Sequence, residues 1–141
     1  MITSILQGGL GNQLFQISAA ISLAKKHSDE AVFSMETHYL PQQGRKVNNY
    51  ADNVLRNIKF SPDLSIRHLY QEPYFHYRKI EYKPDMCLRG YFQSEKYFKE
   101  HEDYIRNIFS PDERSLDIID SKYSTLLEKS PVAIHVRRGD Y

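Results

Sequence analysis

The stretch that decides the fold is QGGLGNQLFQ, at residues 7–16. It follows a strand-like run at residues 2–7, and its three glycines give way to apolar residues at helical spacing. That spacing predicts a helix over residues 12–27, with Asn12 capping the first free N–H groups. AVFSM, at residues 31–35, is predicted to be a second strand. Strand, glycine loop, helix and strand in this order predict a βαβ unit with parallel strands.

The rest of the chain continues the alternation of strands and helices after a polar, irregular stretch in which we place no element. Ser110, Pro111 and Glu113 have the spacing of a capping box at a helix start. The further predicted elements are a strand at 86–92, a helix at 94–109, a helix from the capping box to about residue 129 with Leu116, Ile119, Tyr123 and Leu126 inward, and a strand at 132–136. Such alternation predicts an α/β fold with a Rossmann-like parallel sheet.

Composition narrows the class of protein. The chain has 19 Lys and Arg residues and 18 Asp and Glu residues, so its net charge is +1. A net charge this small gives no broad positive potential that would attract nucleic acid. Cys87 is the one cysteine and is expected to be a buried apolar residue, which fits a reducing compartment. No apolar run approaches the roughly 18 residues of a membrane span. We therefore expect a cytoplasmic protein with no integral membrane segment, in which peripheral attachment to a membrane stays open.

The glycine loop is the first candidate site. Ligands of open parallel sheets bind beyond the carboxyl ends of the strands, where this loop lies. Bare backbone at Gly9 and Gly11 lets a ligand approach the free N–H groups of the next helix. Asn12 and Gln13 add polar side chains, so the loop suits a phosphate or a polar sugar. A tight turn that binds no ligand is the alternative.

The second candidate site is HVRRGDY, at residues 135–141. Arg137 and Arg138 at the end of a strand offer a fork for phosphate oxygens, and Asp140 can orient one guanidinium. His135 shares a strand face with Arg137. The alternative is a structural Arg–Asp bridge in a surface turn.

Two other functions stay open on the residues alone. Gly9 and Gly11 match the first two glycines of a dinucleotide-binding loop, and Glu36 lies where a ribose-binding acid belongs, which would suit an NAD-dependent oxidoreductase. Against this, Leu14 stands at the third glycine position. The aromatic cluster at residues 70–82 would suit a non-catalytic carbohydrate-binding module, although ordinary packing explains it as well. The six histidines lack metal-ligand spacing, so we expect no metal site.

Taken together, residues 8–16 and 135–141 resemble the two signature stretches of the α-1,2-fucosyltransferases, glycosyltransferase family 11. LRGYFQSEKYF, at residues 88–98, is similar to a third segment of that family. The resemblance implies a GT-B fold, in which two Rossmann-like domains face a cleft. It also implies an inverting transfer of L-fucose from GDP-fucose to the 2-hydroxyl of a galactose-containing glycan, without a metal or other cofactor.

The resemblance assigns roles to the two candidate sites. Arg137 becomes the catalytic residue, in contact with the β-phosphate of the donor. The residues expected to bind substrate around it are Gly9, Gly11, Asn12, Gln13, His135, Arg138 and Asp140.

The resemblance also implies a domain division. Members of the family continue for about as many residues again. Residues 1–130 are therefore predicted to form the N-terminal Rossmann-like domain. Residues 131–141 are predicted to be the first strand and loop of a truncated donor-binding domain. We expect the 141-residue chain alone to be inactive.

Overall fold

The computed structural model describes residues 1–35 and 50–136. The chain divides into two compact units, Met1–Ser110 and Pro111–Tyr141. The predicted domain boundary falls later, between residues 130 and 131, and it stays a prediction.

A three-stranded parallel sheet forms the centre of the first unit. Its strands are β1 (Ile2–Ser4), β2 (His68–Gln71) and β3 (Met86–Arg89), in the order β1-β3-β2. The central strand pairs on both sides through Met86, which lies opposite Ile2 and His68. This parallel sheet, with helices beside it, agrees with the predicted α/β class.

Helix α1 (Leu10–Lys26) packs on the sheet and supplies much of the core. Ile17, Ala20 and Ala24 are almost fully buried, as their helical spacing predicts. Small side chains in the middle of the helix let it lie close to the sheet. The remaining core includes Leu6, Phe33, Leu55, Leu88 and Phe92.

The start of α1 differs from the prediction. The helix begins at Leu10, with Gly9 as N-cap, and no side chain from the part of the chain that the structure describes caps it. The predicted cap, Asn12, is wrong, because this residue lies inside the first turn and its side chain accepts a hydrogen bond from Gln93.

Three predicted strands are shorter than expected, and the first of them, predicted over residues 2–7, ends at Ser4. Residues 31–35 contribute only isolated bridges, from Ala31 to Ile2 and from Phe33 to Phe60. The strand predicted over residues 86–92 ends at Arg89. It ends there because the next amides bond to the carboxylate of Glu72 instead of to a neighbouring strand.

The helix predicted over residues 94–109 is broken. Two short 3-10 turns, Glu95–Tyr97 and Lys99–His101, precede helix α2 (Glu102–Ile108). The break falls at Phe98, whose φ of −137° is not helical. Its ring packs against that of Phe15 in α1, with 5.7 Å between centroids, so a tertiary contact overrides the helical pattern.

The second unit holds helix α3 (Glu113–Leu127), close to the predicted span. Its N-cap is Asp112, which accepts a hydrogen bond from the Ser115 amide at 2.7 Å, so the predicted Ser110 cap is wrong. No residue of α3 is buried, contrary to the predicted inward face. The strand predicted at 132–136 is also wrong: these residues are irregular and exposed, because no neighbouring strand among the described residues pairs with their backbone.

Candidate functional site

The glycine loop lies between β1 and α1, at the carboxyl end of the sheet. Gly8 has φ +77°, and a Cβ placed there would collide with the side chain of Asn12. Gly8 is therefore needed for the turn itself. Gly9 and Gly11 are different, because a Cβ on either would meet no described atom within 4 Å. Their bare backbone opens onto free space, as close approach by a ligand requires.

The amino end of α1 presents its N–H groups at this loop. No side chain of the described residues caps this end, and no acidic residue stands in the first turn of the helix. The amide of Gln13 bonds to the carbonyl of Gly9. Helix N–H groups and the positive end of the helix dipole favour an anionic or strongly polar ligand.

Two buried glutamines hold the loop from beneath. Gln16 is fully buried, accepts a hydrogen bond from the Gln7 amide at 2.9 Å and donates to the Gln7 carbonyl at 3.1 Å. Gln13 is also fully buried and donates to the Gly8 carbonyl at 3.0 Å. The structure therefore places Gln13 under the loop, where it positions the backbone, rather than on the open side that a ligand would reach.

A second loop joins the glycine loop at this edge. Gln93, four residues after the end of β3, donates to the side-chain oxygen of Asn12 at 2.7 Å. The carboxylate of Glu72, just after β2, accepts from the amides of Tyr91 at 2.6 Å and Phe92 at 3.0 Å. Hydrogen bonds thus link segments that follow all three strands.

Three residues of this arrangement were not predicted from the sequence: Gln16, Glu72 and Gln93. Gln16 carries a signal that could have revealed it, because a polar residue three positions after Gln13 falls on the inward face of an otherwise apolar helix. The other two act across the sheet, and only the strand order brings them to the loop.

Gly9, Gly11, Asn12 and Gln13 therefore come together at the carboxyl edge of the sheet, where they were predicted to lie. His135 is exposed in the irregular stretch of the second unit. The other predicted residues, Arg137, Arg138, Asp140 and the alternative Glu36, lie outside the described residues. Their contribution to a site stays a prediction.

Burial shifts the pKa of two titratable side chains of the first unit, those of Cys87 and Tyr70. Burial raises the pKa of the Cys87 thiol, so this cysteine is the inert apolar residue that the sequence predicts. Burial also raises the pKa of Tyr70, against the opposing effect of the nearby Arg78.

Two features are absent from residues 1–35 and 50–136. In that part of the chain no group of three His, Cys, Asp or Glu side chains is arranged to hold a metal ion. Nor does any helix there have the length and apolar character needed to cross a bilayer.

The fold is that of an α/β protein with a small parallel sheet, and polar side chains surround the glycine loop at the carboxyl edge of that sheet. Comparison with known proteins extends this description. No family model matches the chain, and no solved structure matches it. The chain is similar to three curated proteins, all glycosyltransferases by name.

The chain is 29% identical over 153 residues to a galactoside 2-α-L-fucosyltransferase of Caenorhabditis elegans, with 100% of the chain and 42% of that protein covered. It is 25% identical over 162 residues to an α-1,2-colitosyltransferase of Escherichia coli, covering 100% of the chain and 55% of that protein. An O-antigen biosynthesis glycosyltransferase, WbnK of Escherichia coli, is 26% identical over 177 residues, covering 98% of the chain and 59% of that protein.

These matches confirm the resemblance to the α-1,2-fucosyltransferases, and the chain is a relative of glycosyltransferases. The chain spans about half the length of the curated relatives it matches.

Proposed function

We propose that this chain is part of an α-1,2-fucosyltransferase with a GT-B fold. The enzyme would transfer L-fucose from GDP-fucose to the 2-hydroxyl of a galactoside, with inversion and without a metal or other cofactor. The observation that carries the proposal is the alignment of essentially the whole chain with three glycosyltransferases, one of which is named a galactoside 2-α-L-fucosyltransferase.

The glycine loop supports a role in holding the donor. It combines open space over Gly9 and Gly11 with the uncapped amino end of α1. Gln13 and Gln16 fix the loop backbone from beneath, so little conformational freedom remains to be lost when a ligand binds. In this proposal Asn12 is the side chain that meets the donor, and Gln13 positions the loop.

Arg137 is proposed to carry the chemical step. As the bond between fucose and the diphosphate oxygen breaks, negative charge grows on the departing diphosphate and positive charge on the sugar ring. A fixed guanidinium stabilises this separated charge more than it stabilises the intact donor. Arg138, His135 and Asp140 would shape the diphosphate pocket around it. Loss of the Arg137 guanidinium should lower the rate by about 10²–10³-fold.

Exposed aromatic rings support binding of the acceptor glycan. Phe75 is 75% exposed, and its ring stacks on Tyr91 with 6.3 Å between centroids. Tyr91 directly follows the turn at the end of β3, on the loop that carries Gln93. Flat aromatic faces with polar groups beside them suit the apolar face and hydroxyls of a sugar ring. We propose that Phe75 and Tyr91 receive the galactoside.

The decisive experiment measures transfer of labelled fucose from GDP-fucose to a galactoside by the protein that carries this chain, with a chelator present. Activity with the chelator, loss of activity in Arg137→Ala and full activity in Arg114→Ala, an exposed arginine of α3, would support the proposal. Transfer that survives Arg137→Ala would refute the role of that residue. Nucleotide-activated colitose, as a second donor, tests the choice of sugar.

The same exposed rings favour a second candidate, a carbohydrate-binding module without catalysis. The two candidates differ in what Phe75→Ala does. In a transferase it raises the KM for the acceptor and leaves hydrolysis of GDP-fucose unchanged. In a binding module Phe75→Ala abolishes glycan binding, and neither the unchanged protein nor the variant turns over GDP-fucose.

A further inference from the structure

We propose that a cleft along β2 is a separate anion site that takes a phosphate-bearing ligand. The cleft has a volume of about 550 Å³ and lies between β2 and the segment at residues 78–83. Its lining includes four cations and one carboxylate, contributed by Arg67, Arg78, Lys79, Lys83 and Glu81. This local excess of positive charge contrasts with the near-neutral chain as a whole.

The way the segment packs directs its charges into the cleft. Burial alternates along residues 79–83, because Ile80 is 8% exposed and Tyr82 stacks on His27 with 4.2 Å between ring centroids. Lys79 and Lys83 therefore stand on the opposite side from the core, as alternation along an extended chain requires.

Three of these four cations have no carboxylate partner in the described part of the chain. Among the residues that the structure describes, no carboxylate lies within ion-pair distance of Arg78, Lys79 or Lys83, and Arg67 makes one 3.4 Å contact with Asp85 while staying 74% exposed. Other lysines of the same unit are neutralised by a glutamate, as in the pairs Lys26–Glu100, Lys59–Glu30 and Lys99–Glu95. Like charges gathered around a concave surface repel one another and concentrate anions there.

The chemistry of the lining favours a phosphate or diphosphate group. Two guanidinium groups and two ammonium groups need several acceptor oxygens at once, and guanidinium pairs with phosphate oxygens in a bidentate manner. A soluble phosphorylated compound and a phospholipid headgroup share this chemistry. The described lining of the cleft includes no residue of the glycine loop, so the cleft is separate from that part of the proposed donor site.

The test is calorimetric titration of the 141-residue chain with inorganic pyrophosphate at low salt. The double variant Arg78→Gln/Lys83→Gln should weaken binding about tenfold or more. The matched control, Lys122→Gln/Lys129→Gln, removes the same charge outside the cleft and should change the affinity by less than about twofold. Both variants alter exposed side chains, and thermal melting verifies that they fold.

Vesicles identify the source of the phosphate. A lipid headgroup would be supported if the chain sediments with phosphatidylglycerol vesicles but not with phosphatidylcholine vesicles, and if Arg78→Gln/Lys83→Gln abolishes this sedimentation. Pyrophosphate binding without vesicle binding would support a soluble ligand. The proposal is overturned if pyrophosphate does not bind, if both double variants weaken pyrophosphate binding equally, or if the loss is confined to Arg137→Ala, which would locate the anion in the donor site.

Discussion

The hydrogen bonds of Gln16 give the sharpest prediction about the glycine loop. Replacing Gln16 by methionine keeps nearly the same side-chain volume, so no cavity opens and the change reports the loss of polar contacts. The two lost bonds join the side chain to the amide and carbonyl of Gln7, at 2.9 and 3.1 Å. Each half-buried backbone group left without a partner costs about 1–3 kcal/mol.

The greater apolar character of a buried methionine offsets about 1 kcal/mol of that loss. The free energy of unfolding in urea should therefore fall by about 1–5 kcal/mol. The same substitution at Gln71, which is exposed and bonds at 3.2 Å and beyond, should change it by less than about 0.5 kcal/mol. In hydrogen exchange, the Gln7 amide should lose protection in Gln16→Met alone. If Gln16→Met and Gln71→Met lower the free energy of unfolding equally, the conclusion that Gln16 holds the loop in place is refuted.

Three further predictions concern single side chains of the first unit. Gly11→Ala should raise the free energy of unfolding by up to about 1 kcal/mol, because alanine favours the first turn of α1. The same change should weaken binding of GDP-fucose, because the added methyl group blocks the approach of the ligand. Unchanged affinity in calorimetry would contradict the proposal that Gly11 faces the donor. Tyr70→Phe should leave stability unchanged or raise it by about 1 kcal/mol, because the buried hydroxyl has no hydrogen-bond partner among the described residues, and a clear loss in a urea titration would count against this. Burial tends to raise the pKa of Asp29, but hydrogen bonds from the terminal ammonium, the Glu30 amide and Tyr82 hold that pKa below 3.8, so the contribution of Asp29 to stability is full above pH 3.8 and is lost as the pH falls through the lowered value. Asp29→Asn should therefore weaken the dependence of stability on pH in this acid range. An unchanged dependence would disprove the linkage.

The sequence predicted the first elements well because their signals are local. The apolar period of α1 and the glycines before it depend on neighbours within a few residues, and the structure has both where they were expected. The start of α1 was misplaced by two residues because a glycine, and not Asn12, occupies the N-cap. Glycine is a common N-cap but carries no side-chain signal of its own.

The missed elements depend on contacts between distant parts of the chain. β2 reads HLYQ and is largely exposed, so it lacks the apolar alternation that reveals a strand. The helix predicted over residues 94–109 has a suitable pattern, but the packing of Phe98 on Phe15 interrupts it. At the site, the bond between Asn12 and Gln93 joins residues 81 positions apart, and only the order of the strands brings them together.

The two ends of β1 are secured by different chemistry. At its amino end the Met1 ammonium lies 2.8 Å from Asp29 and 3.4 Å from Asp85, an arrangement of charges that acid dismantles. At its carboxyl end Gln13 and Gln16 hold the backbone with neutral amides, which neither gain nor lose a proton across the biological range. Acidification should therefore loosen the start of the strand long before it disturbs the glycine loop, and the shape offered to a ligand should stay constant while the stability of the fold declines.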